Sequence, residues 1–281
     1  MIWEHSIQEN IMTRRSVRTY SARPVDLDVI ADLNGIIQNM PPGPFGTSPQ
    51  FQVIQGESGW MPGTYGVIHG ATVFLAGTCK PTWQDIVDYA YGMETLILWL
   101  TDKGLGTCWL GGTFQRASLL NRMGHRKGRI IPAISPIGYP GAQKRMTDRI
   151  FSGLSRSRTR KDWSQLFFIG DDAIPAAQML TGSYREILNM VHQAPSAMNR
   201  QPWRLVVAEN QIDVYLDKLI HKGETQKEVN RFLDIGIACA HIGLAAQAVK
   251  LQGKWIIKGL PVSTQGWMYV LTWKEKQAGV R

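Results

Sequence analysis

The most specific chemistry in this sequence lies in a cluster of cations near its beginning. The segment IMTRRSVRTYSARPVD carries Arg14, Arg15, Ser16 and Arg18 just ahead of a predicted helix. Guanidinium groups form charged, forked hydrogen bonds that suit phosphate oxygens, and a serine hydroxyl adds another donor. The pattern indicates a phosphate-binding site, and a mobile basic arm is the alternative interpretation of the same residues.

A second motif, APSAMNRQPWRLVV, spans residues 194–207. Pro195 ends the preceding helix, and Ser196, Asn199 and Gln201 then supply a hydroxyl and two amides on a tight loop. Such a loop can hydrogen-bond to the polar edge of a planar heterocycle. The alternative is a plain helix-to-strand turn with Trp203 as a core anchor, and for Trp203 itself we favour that alternative.

Two further segments could complete a binding site. In GLGTCWLGGTF, Gly111 and Gly112 would let backbone N–H groups approach a ligand ring closely. This segment follows a helix and lacks a third glycine, so we exclude a Rossmann dinucleotide site. Residues 143–161 carry seven basic side chains, including Arg158 and Arg160, against Asp148 alone. For most of that basic stretch we favour a solvated linker over a nucleic-acid surface, and a few of its arginines could help to bind a small phosphate-bearing ligand.

Other reactive residue types show no chemical pattern. The six histidines have no metal-ligand spacing, so we predict no metal site, and no catalytic acid–base pair is evident. Cys79, Cys108 and Cys239 are widely spaced and form no CxxC pair, which fits a reduced, cytoplasmic protein. We interpret Cys108 as small core filler beside Trp109.

The overall composition is that of a globular chain. With 281 residues and a hydrophobic share of 44%, it can form one large domain or two small ones. Its longest uninterrupted apolar run, 96–100, is far shorter than the roughly 20 residues of a membrane helix. No export signal is visible at the N-terminus. We therefore expect no membrane partner. The formal charge of +9 is concentrated in 14–18 and 143–161, where few aromatic residues accompany it, so we disfavour nucleic acid as a partner.

Two segments of the chain repeat one another. DYAYGMETLILWLTDKGLGTCW begins at Asp88, and DIGIACAHIGLAAQAVKLQGKW begins at Asp234, with a tryptophan at the same distance from each aspartate. Both are nearly free of charge over several turns, which predicts helices buried on all sides. We expect these helices to end near Gly104 and Gly253.

A second similarity precedes these helices. Strand-like PQFQVI follows a predicted helix over 27–40, as PWRLVV follows one over 184–192, and β-rich runs come next at 71–76 and 212–216. PAISPIGYP, 132–140, reads as a short buried strand closed by a turn. The sequence thus predicts two related α+β halves that meet near residues 160–175, and a chance match of two apolar helices is the alternative.

Taken in order, these motifs resemble the FMN-dependent nitroreductase family. RRSVRTY is similar to its phosphate-binding opening, DYAYGMETLILWLTDKGLGTCWLGG to its long central helix and following strand, and PAISPIGYP to its next core strand. SRSRTRKDWSQLFF resembles its basic tail, and APSAMNRQPWRLVV its Ser/Asn/Gln-Pro-Trp loop. The resemblance covers almost all of the first half and the second half up to about Trp255. It implies a nitroreductase-like α+β fold that binds FMN.

The motifs are divided between the halves in an unusual way. The position where the family has its Ser/Asn/Gln-Pro-Trp loop holds PPGPFGTSPQFQV, and the matching loop appears only in the second half. The second half has no basic counterpart of RRSVR; it begins DDAIPAAQMLTG. Because family members form dimers with two FMN sites between subunits, the resemblance implies a fused, monomeric pseudo-dimer with one remaining site. We place its halves at 1–165 and at 166–281, the latter degenerate and shortened at its C-terminal end.

The resemblance also implies which residues form that site. Its cofactor-binding residues would be Arg14, Arg15, Ser16, Arg18, Gly111, Gly112, Arg158 and Arg160 from the first half and Pro195, Ser196, Asn199 and Gln201 from the second. NADH or NADPH would reduce the FMN, and a small-molecule electron acceptor, a nitroaromatic or a quinone, would reoxidise it in a ping-pong cycle. Two alternatives remain open: a protein that binds FMN or another ligand without turnover, and a basic adaptor for nucleic acid or acidic protein.

Overall fold

The first half of the chain contains four helices and four strands among the residues that the structure describes. The structure is a computed structural model that describes residues 1–56, 62–124, 127–142, 159–170, 173–176, 179–217, 226–259 and 266–276. In chain order the elements are α1 (Ile7–Thr13), α2 (Leu27–Gln38), β1 (Gln50–Gln55), β2 (Val73–Thr78), α3 (Trp83–Asp102), β3 (Gly106–Thr107), α4 (Arg116–Arg122) and β4 (Ile134–Gly138).

The second half repeats the helix–strand–strand–helix–strand–strand order after a short additional segment. That segment is α5 (Trp163–Leu166), β5 (Phe167–Ile169) and β6 (Ile174–Pro175). There follow α6 (Gly182–His192), a 3₁₀ turn (Ala197–Asn199), β7 (Trp203–Ala208), β8 (Gln211–Leu216), α7 (Gln226–Ala248), β9 (Gly253–Ile256) and β10 (Met268–Glu275). The predicted helices and strands thus exist, with boundaries moved by a few residues.

The two sheets share one strand order. The first sheet runs β1-β2-β4-β3 with antiparallel neighbours throughout, and the second contains the equivalent antiparallel run β7-β8-β10-β9. The second sheet continues beyond β7, because β5 pairs with β7 in parallel and β6 pairs with β5. The chain therefore has an α+β fold of two related halves, as predicted.

The long helices α3 and α7 pack against each other at the centre of the molecule. They run in the same direction, because Trp83 stacks on Phe232 near their beginnings and Glu94 meets His241 further along. At their closest approach a Cβ on Gly236 would lie 2.2 Å from the Val87 carbonyl oxygen, so only glycine fits there. Both helices belong to one large hydrophobic core that also includes the inner faces of the two sheets.

Helix α7 is more apolar over its whole length than the short apolar runs of the sequence indicated. Among the described residues, Gln226–Ala248 is one helix that is long and apolar enough to cross a membrane, with a mean hydropathy of 1.2 over its most apolar window. However, 72% of that window is buried inside the protein. The apolar surface of the helix is used in the core between the two halves, as the all-round apolar pattern predicted.

The two central helices end in the same way. Leu105 N–H donates to the Leu100 carbonyl, and Leu251 N–H donates to the Ala246 carbonyl, at 3.0 and 2.9 Å. Gly104 adopts a φ of 71° at the first end, as expected. At the second end the prediction of Gly253 is wrong: the left-handed residue is Lys250, with a φ of 62°. Gly253 instead begins β9, where its backbone passes close to the Trp273 ring.

Candidate functional site

The arginine segment of the first half is paired with the edge of the first sheet. Val17 N–H donates to the Thr107 carbonyl at 2.8 Å, and the backbone of Ser16 bridges to Thr107 beside β3. This pairing replaces the mobile-arm interpretation of the segment. Arg15 and Ser16 are exposed, whereas Arg14 and Arg18 are partly buried. The sheet edge therefore presents this cationic segment in a fixed backbone position.

Arg14 and Arg160 are partly buried cations that lie close enough to repel each other. The Nε atom of Arg14 is buried and has no hydrogen-bond partner among the described residues. Burial, and then the charge of Arg14, lower the pKa of Arg160 to about 10. Arg160 donates to the carbonyls of Gln193 and Ala194 at 2.7 and 3.0 Å, and none of its described bonds goes to a carboxylate. Two neighbouring, partly buried cations, one of them with a buried donor that lacks a partner, are suited to binding an anion.

The loop of the second half lies around the segment that carries Arg160. Asn199 accepts from Arg160 at 3.1 Å and donates to the Thr159 carbonyl at 2.5 Å. The side-chain oxygen of Gln201 accepts from the Lys161 N–H at 3.2 Å, and its amide nitrogen donates to Asn199 at 3.1 Å. Through these bonds the two amides hold residues 159–161 against the loop.

The loop is compact and has an unusual backbone. Met198, Asn199 and Gln201 all have positive φ, between 46° and 55°, which non-glycine residues rarely adopt. The Ser196 hydroxyl accepts the Gln201 N–H at 2.9 Å and so closes the loop on itself. Trp203 is fully buried at its exit, which confirms its role as a core anchor. Pro195 is partly buried, and no described hydrogen bond involves its carbonyl.

Asp234 fixes this loop to helix α7. One of its carboxylate oxygens accepts the Ala197 N–H at 2.8 Å. Burial raises the pKa of Asp234 to about 8, which the Ala197 hydrogen bond and the nearby Arg200 and Arg231 only partly offset. The repeated aspartate that begins the second uncharged stretch in the sequence is therefore also the residue that attaches this loop to α7.

The surroundings of the loop are rich in cations. Burial, followed by the nearby charge of Arg204, lowers the pKa of Lys161. Burial likewise lowers the pKa of Arg204, against the opposing effect of Asp217, which accepts from its guanidinium at 2.7 Å. This positive region favours a negatively charged ligand at the junction between the halves.

The glycine segment of the first half faces the beginning of helix α7. A Cβ on Gly111 would lie 2.6 Å from the side-chain oxygen of Asn230, so the Asn230 side chain packs directly against this glycine, while Gly112 is exposed. Arg116 donates to the Gly111 carbonyl at 3.1 Å and to the Gln226 side chain at 2.9 Å. Burial lowers the pKa of Arg116. The guanidinium thus clamps the glycine segment to the second half.

Of the residues predicted to form the site, the structure brings together Arg14, Arg160, Asn199 and Gln201. It places Gly111 against α7. Arg158 lies outside the described residues. Sequence reasoning missed three side chains that support the site: Arg116, Gln226 and Asn230. No motif surrounds them, so only their position on α4 and on the first turns of α7 reveals their roles.

One group of possible metal ligands occurs elsewhere among the described residues. Glu4, His5 and Asp102 offer ligand atoms within 4.8 Å of one another. Asp102, however, already accepts the backbone N–H groups of Glu4 and His5 and the Asn10 amide, each at 2.8 Å. These bonds attach the N-terminal residues to the end of α3, which is a sufficient role for this carboxylate.

Comparison with protein-family models identifies the family. A model described as "Putative TM nitroreductase" matches residues 6–246, and so covers both halves of the chain. The chain belongs to this nitroreductase family. Its membership supports an oxidoreductase function. A search of curated proteins finds no match.

Comparison with solved structures shows the fold that this chain shares with others. A "putative nitroreductase" from Thermotoga maritima MSB8 matches this nitroreductase-family chain with a TM-score of 0.64 and 19% identity, over 98% of this chain and 95% of that one. The two chains thus share the fold over both halves. A nitroreductase family protein from Clostridium difficile 630 matches with a TM-score of 0.43 and 17% identity, over 53% of this chain and 92% of that one. The FMN and NADPH-dependent nitroreductase NfnB from sphigopyxis sp. strain HMH gives a TM-score of 0.38 and 19% identity, over 52% of this chain and 97% of that one.

Proposed function

We propose that this nitroreductase-family chain binds one FMN between its two halves and acts as an NAD(P)H oxidoreductase on nitroaromatic or quinone-like acceptors. The observation that carries this proposal is the buried Nε of Arg14, which has no hydrogen-bond partner among the described residues, near the partly buried guanidinium of Arg160. A phosphate oxygen would satisfy the first atom and balance the charge of both groups. FMN supplies such a phosphate.

The residues present fit the phosphate end of that cofactor. Arg14, Arg15, Ser16 and Arg18 follow one another along a fixed backbone, and Arg160 approaches from the linker between the halves. In this proposal Arg14 and Arg160 bind the phosphate directly. Arg15 and Ser16, which are exposed, contribute donors from its solvent side.

In this proposal the second half both holds Arg160 in place and supplies residues that contact the ligand. Asn199 and Gln201 hold the linker that carries Arg160, and Asp234 holds the loop to α7. Removal of these bonds would weaken the hold of the loop on Arg160, which the Gln193 and Ala194 carbonyls also bind. Pro195 and Ser196 would line the polar edge of the ring system, as the resemblance implies. The site is therefore proposed to require both halves.

The chemistry of the proposed activity is divided between cofactor and protein. When bound, FMN would supply a ping-pong cycle in which it takes a hydride from NADH or NADPH and passes it to the acceptor. Backbone N–H groups near Gly111 and Gly112 would bind the reactive edge of the ring. The cations of the site would favour negative charge on the bound group. The protein itself need not supply an acid–base pair.

A second candidate is a protein that binds FMN or another anionic ligand without turnover. Two observations favour it. The side-chain amides of Asn199 and Gln201 are already hydrogen-bonded to residues 159–161. The side chain of Asn230 also lies directly against Gly111. Both candidates require the anion site. They differ in whether NADH or NADPH can reduce the bound flavin.

The two candidates can be separated with purified protein. We expect Arg14→Ala to weaken FMN binding about tenfold or more, because a charge-assisted hydrogen bond is worth roughly 1.5–3 kcal/mol. Asn199→Ala in the other half should weaken the same site, whereas the exposed control Arg23→Ala should not. Anaerobic bleaching of the flavin by NADH or NADPH, followed by recovery with a quinone, identifies an oxidoreductase. Binding without bleaching identifies the second candidate, and normal FMN affinity in Asn199→Ala would contradict the cross-half site.

A further inference from the structure

A buried polar network crosses the contact between the two central helices. Glu94 on α3 and His241 on α7 are both fully buried. The indole N–H of Trp109 donates to one Glu94 carboxylate oxygen at 2.6 Å, and the other oxygen lies 3.1 Å from Nε2 of His241. Nδ1 of His241 lies 3.1 Å from the carbonyl of Met190 in the last turn of α6. The network therefore joins three elements from both halves.

The partners determine where the protons lie. The Met190 carbonyl can only accept, so Nδ1 of His241 must carry a proton. The contact between Nε2 and Glu94 then holds one further proton, shared by the imidazole and the carboxylate. With Trp109 donating to the second oxygen, every polar group in the network has a partner. The pair is thus neutral overall and geometrically fixed on both sides.

This network reaches both walls of the proposed flavin site. Trp109 lies two residues before Gly111, and Leu110 between them pairs with Ile134 of β4. On the other side, Met190 lies shortly before Gln193 and Ala194, whose carbonyls hold Arg160. Glu94 and His241 therefore connect the glycine segment of one half to the end of the helix that leads into the loop of the other.

Because the two halves are related, the contact between α3 and α7 has a second place that is equivalent to the Glu94–His241 contact, with the roles of the two helices exchanged. The described residues at that place form no such network. The position corresponding to Glu94, six residues after the repeated aspartate, is Ala240, and the position corresponding to His241 is Thr95. There the Trp255 ring instead packs edge-on against the Tyr91 ring, with 6.4 Å between the ring centroids. A helix contact alone does not require a buried ionisable pair, because well-packed apolar residues stabilise such a contact as well or better.

We propose that Glu94 and His241 are positioning residues that fix Trp109, and through it the Gly111–Gly112 segment, for ligand binding between the halves. The inference rests on the proposed flavin site for its functional consequence, but not for the position of Trp109. It assigns the polar network to the side of the molecule that carries the arginine segment and the Ser/Asn/Gln-Pro-Trp loop. The opposite side, which lacks both motifs, lacks the network too.

The test uses variants of the full chain that separate stability from position. Glu94→Gln keeps an oxygen for Trp109 and an amide N–H for His241, so we expect normal FMN affinity. The double variant Glu94→Leu/His241→Leu keeps an apolar, well-filled contact but removes the partner of Trp109. We expect it to unfold cooperatively and to bind FMN about tenfold more weakly. Tyr91→Phe, which removes a hydroxyl from the equivalent place on the opposite side and keeps the ring that packs against Trp255, should leave FMN affinity unchanged.

A second measurement does not depend on flavin. The indole N–H of Trp109, assigned in ¹⁵N NMR spectra by comparison with Trp109→Phe, should exchange slowly in the wild type and in Glu94→Gln but quickly in the double variant. Slow exchange in the double variant, or unchanged FMN affinity in it, overturns the proposal. If the wild type binds no FMN, the proposed function fails, and the exchange data alone then decide whether Glu94 and His241 position Trp109.

Discussion

The loops that precede the first strand in the two halves share a mode of attachment but differ in what they offer a ligand. In the first half, Asp88 of α3 accepts the Phe45 and Thr47 N–H groups, both at 2.8 Å, and the Thr47 hydroxyl at 2.9 Å. In the second, Asp234 of α7 accepts the Ala197 N–H. The same helix position therefore anchors the equivalent loop in each half.

The difference lies in what the anchored loops contain. The first loop closes tightly on itself, since Gly43 N–H donates to the Thr47 carbonyl, and its Phe45 ring packs edge-on against Trp83 at 5.1 Å. The second loop carries the amides of Asn199 and Gln201 and faces the cations Arg160 and Lys161. One half therefore has an aromatic, self-contained loop, and the other has a polar loop suited to ligand binding.

The largest expected effect tests whether the first loop is only structural. Asp88→Ala would leave three donors without their buried acceptor, so we expect a loss of about 3–5 kcal/mol in the free energy of unfolding. Denaturant unfolding measures this loss. The FMN content per folded chain should stay unchanged. If FMN content fell as much in Asp88→Ala as in Asp234→Ala, the first loop would contribute to ligand binding as much as the second, and the difference proposed between the two loops would be wrong.

The second prediction tests how closely α3 and α7 approach each other between the two halves. Gly236 occupies the helix position that corresponds to Ala90, and a Cβ added there would lie 2.6 Å from the Ala90 Cβ. We expect Gly236→Ala to force α3 and α7 apart and to destabilise the protein by about 3 kcal/mol. The control Ala90→Gly should cost only about 1 kcal/mol, the difference in helix propensity. Equal effects of the two changes in thermal unfolding would contradict this close approach.

The pH dependence of stability distinguishes the two aspartates. The pKa of Asp234 is about 8 in the folded protein, against 3.8 for an unperturbed aspartate, so the folded chain keeps a proton that the unfolded chain releases. The free energy of unfolding should therefore fall as pH rises from about 4 to 8, by at most about 1.4 kcal/mol per pH unit. We expect Asp234→Asn to remove this slope, as measured by urea unfolding at several pH values.

Asp88 serves as the internal comparison for that experiment. Burial raises its pKa too, but three hydrogen bonds to the carboxylate oppose the effect of burial. The slope removed by Asp88→Asn should therefore be smaller than the slope removed by Asp234→Asn. A larger slope for Asp88 would show that the two buried carboxylates have been assigned the wrong environments.

The smallest effect concerns the ends of the central helices. Lys250 takes a left-handed conformation that costs a side chain roughly 1 kcal/mol, so Lys250→Gly should stabilise the protein by up to about that amount. Gly104→Ala should destabilise it by a similar amount. Differential scanning calorimetry of both variants provides the measurement. Destabilisation by Lys250→Gly would mean that its side chain, rather than its backbone, matters at this turn.

More of the fold than of the candidate site could be predicted from the sequence. The uncharged stretches after Asp88 and Asp234 predicted two buried helices correctly, because helices covered on all sides carry few charges. The second helix end was misplaced, since the left-handed residue there is a lysine and leaves no glycine signal. The short helix α4 also lacked a periodic pattern long enough to detect.

The site could be predicted only in part for a physical reason. Arg14 and Asn199 lie in recognisable motifs, but their connection through Arg160 depends on how the linker passes the loop. The roles of Arg116, Asn230 and Glu94 arise from contacts between residues far apart in the chain. Such contacts follow from the packing of the two halves, which no local pattern encodes.

The most direct test of this account is the number of flavins bound per chain. Purified protein reconstituted with excess FMN and freed of unbound cofactor can be measured by native mass spectrometry and by visible absorbance. We expect one FMN per chain in the wild type and its loss in both Arg14→Ala and Asn199→Ala. Two FMN per chain, or none after reconstitution, would contradict a single site shared by the two halves.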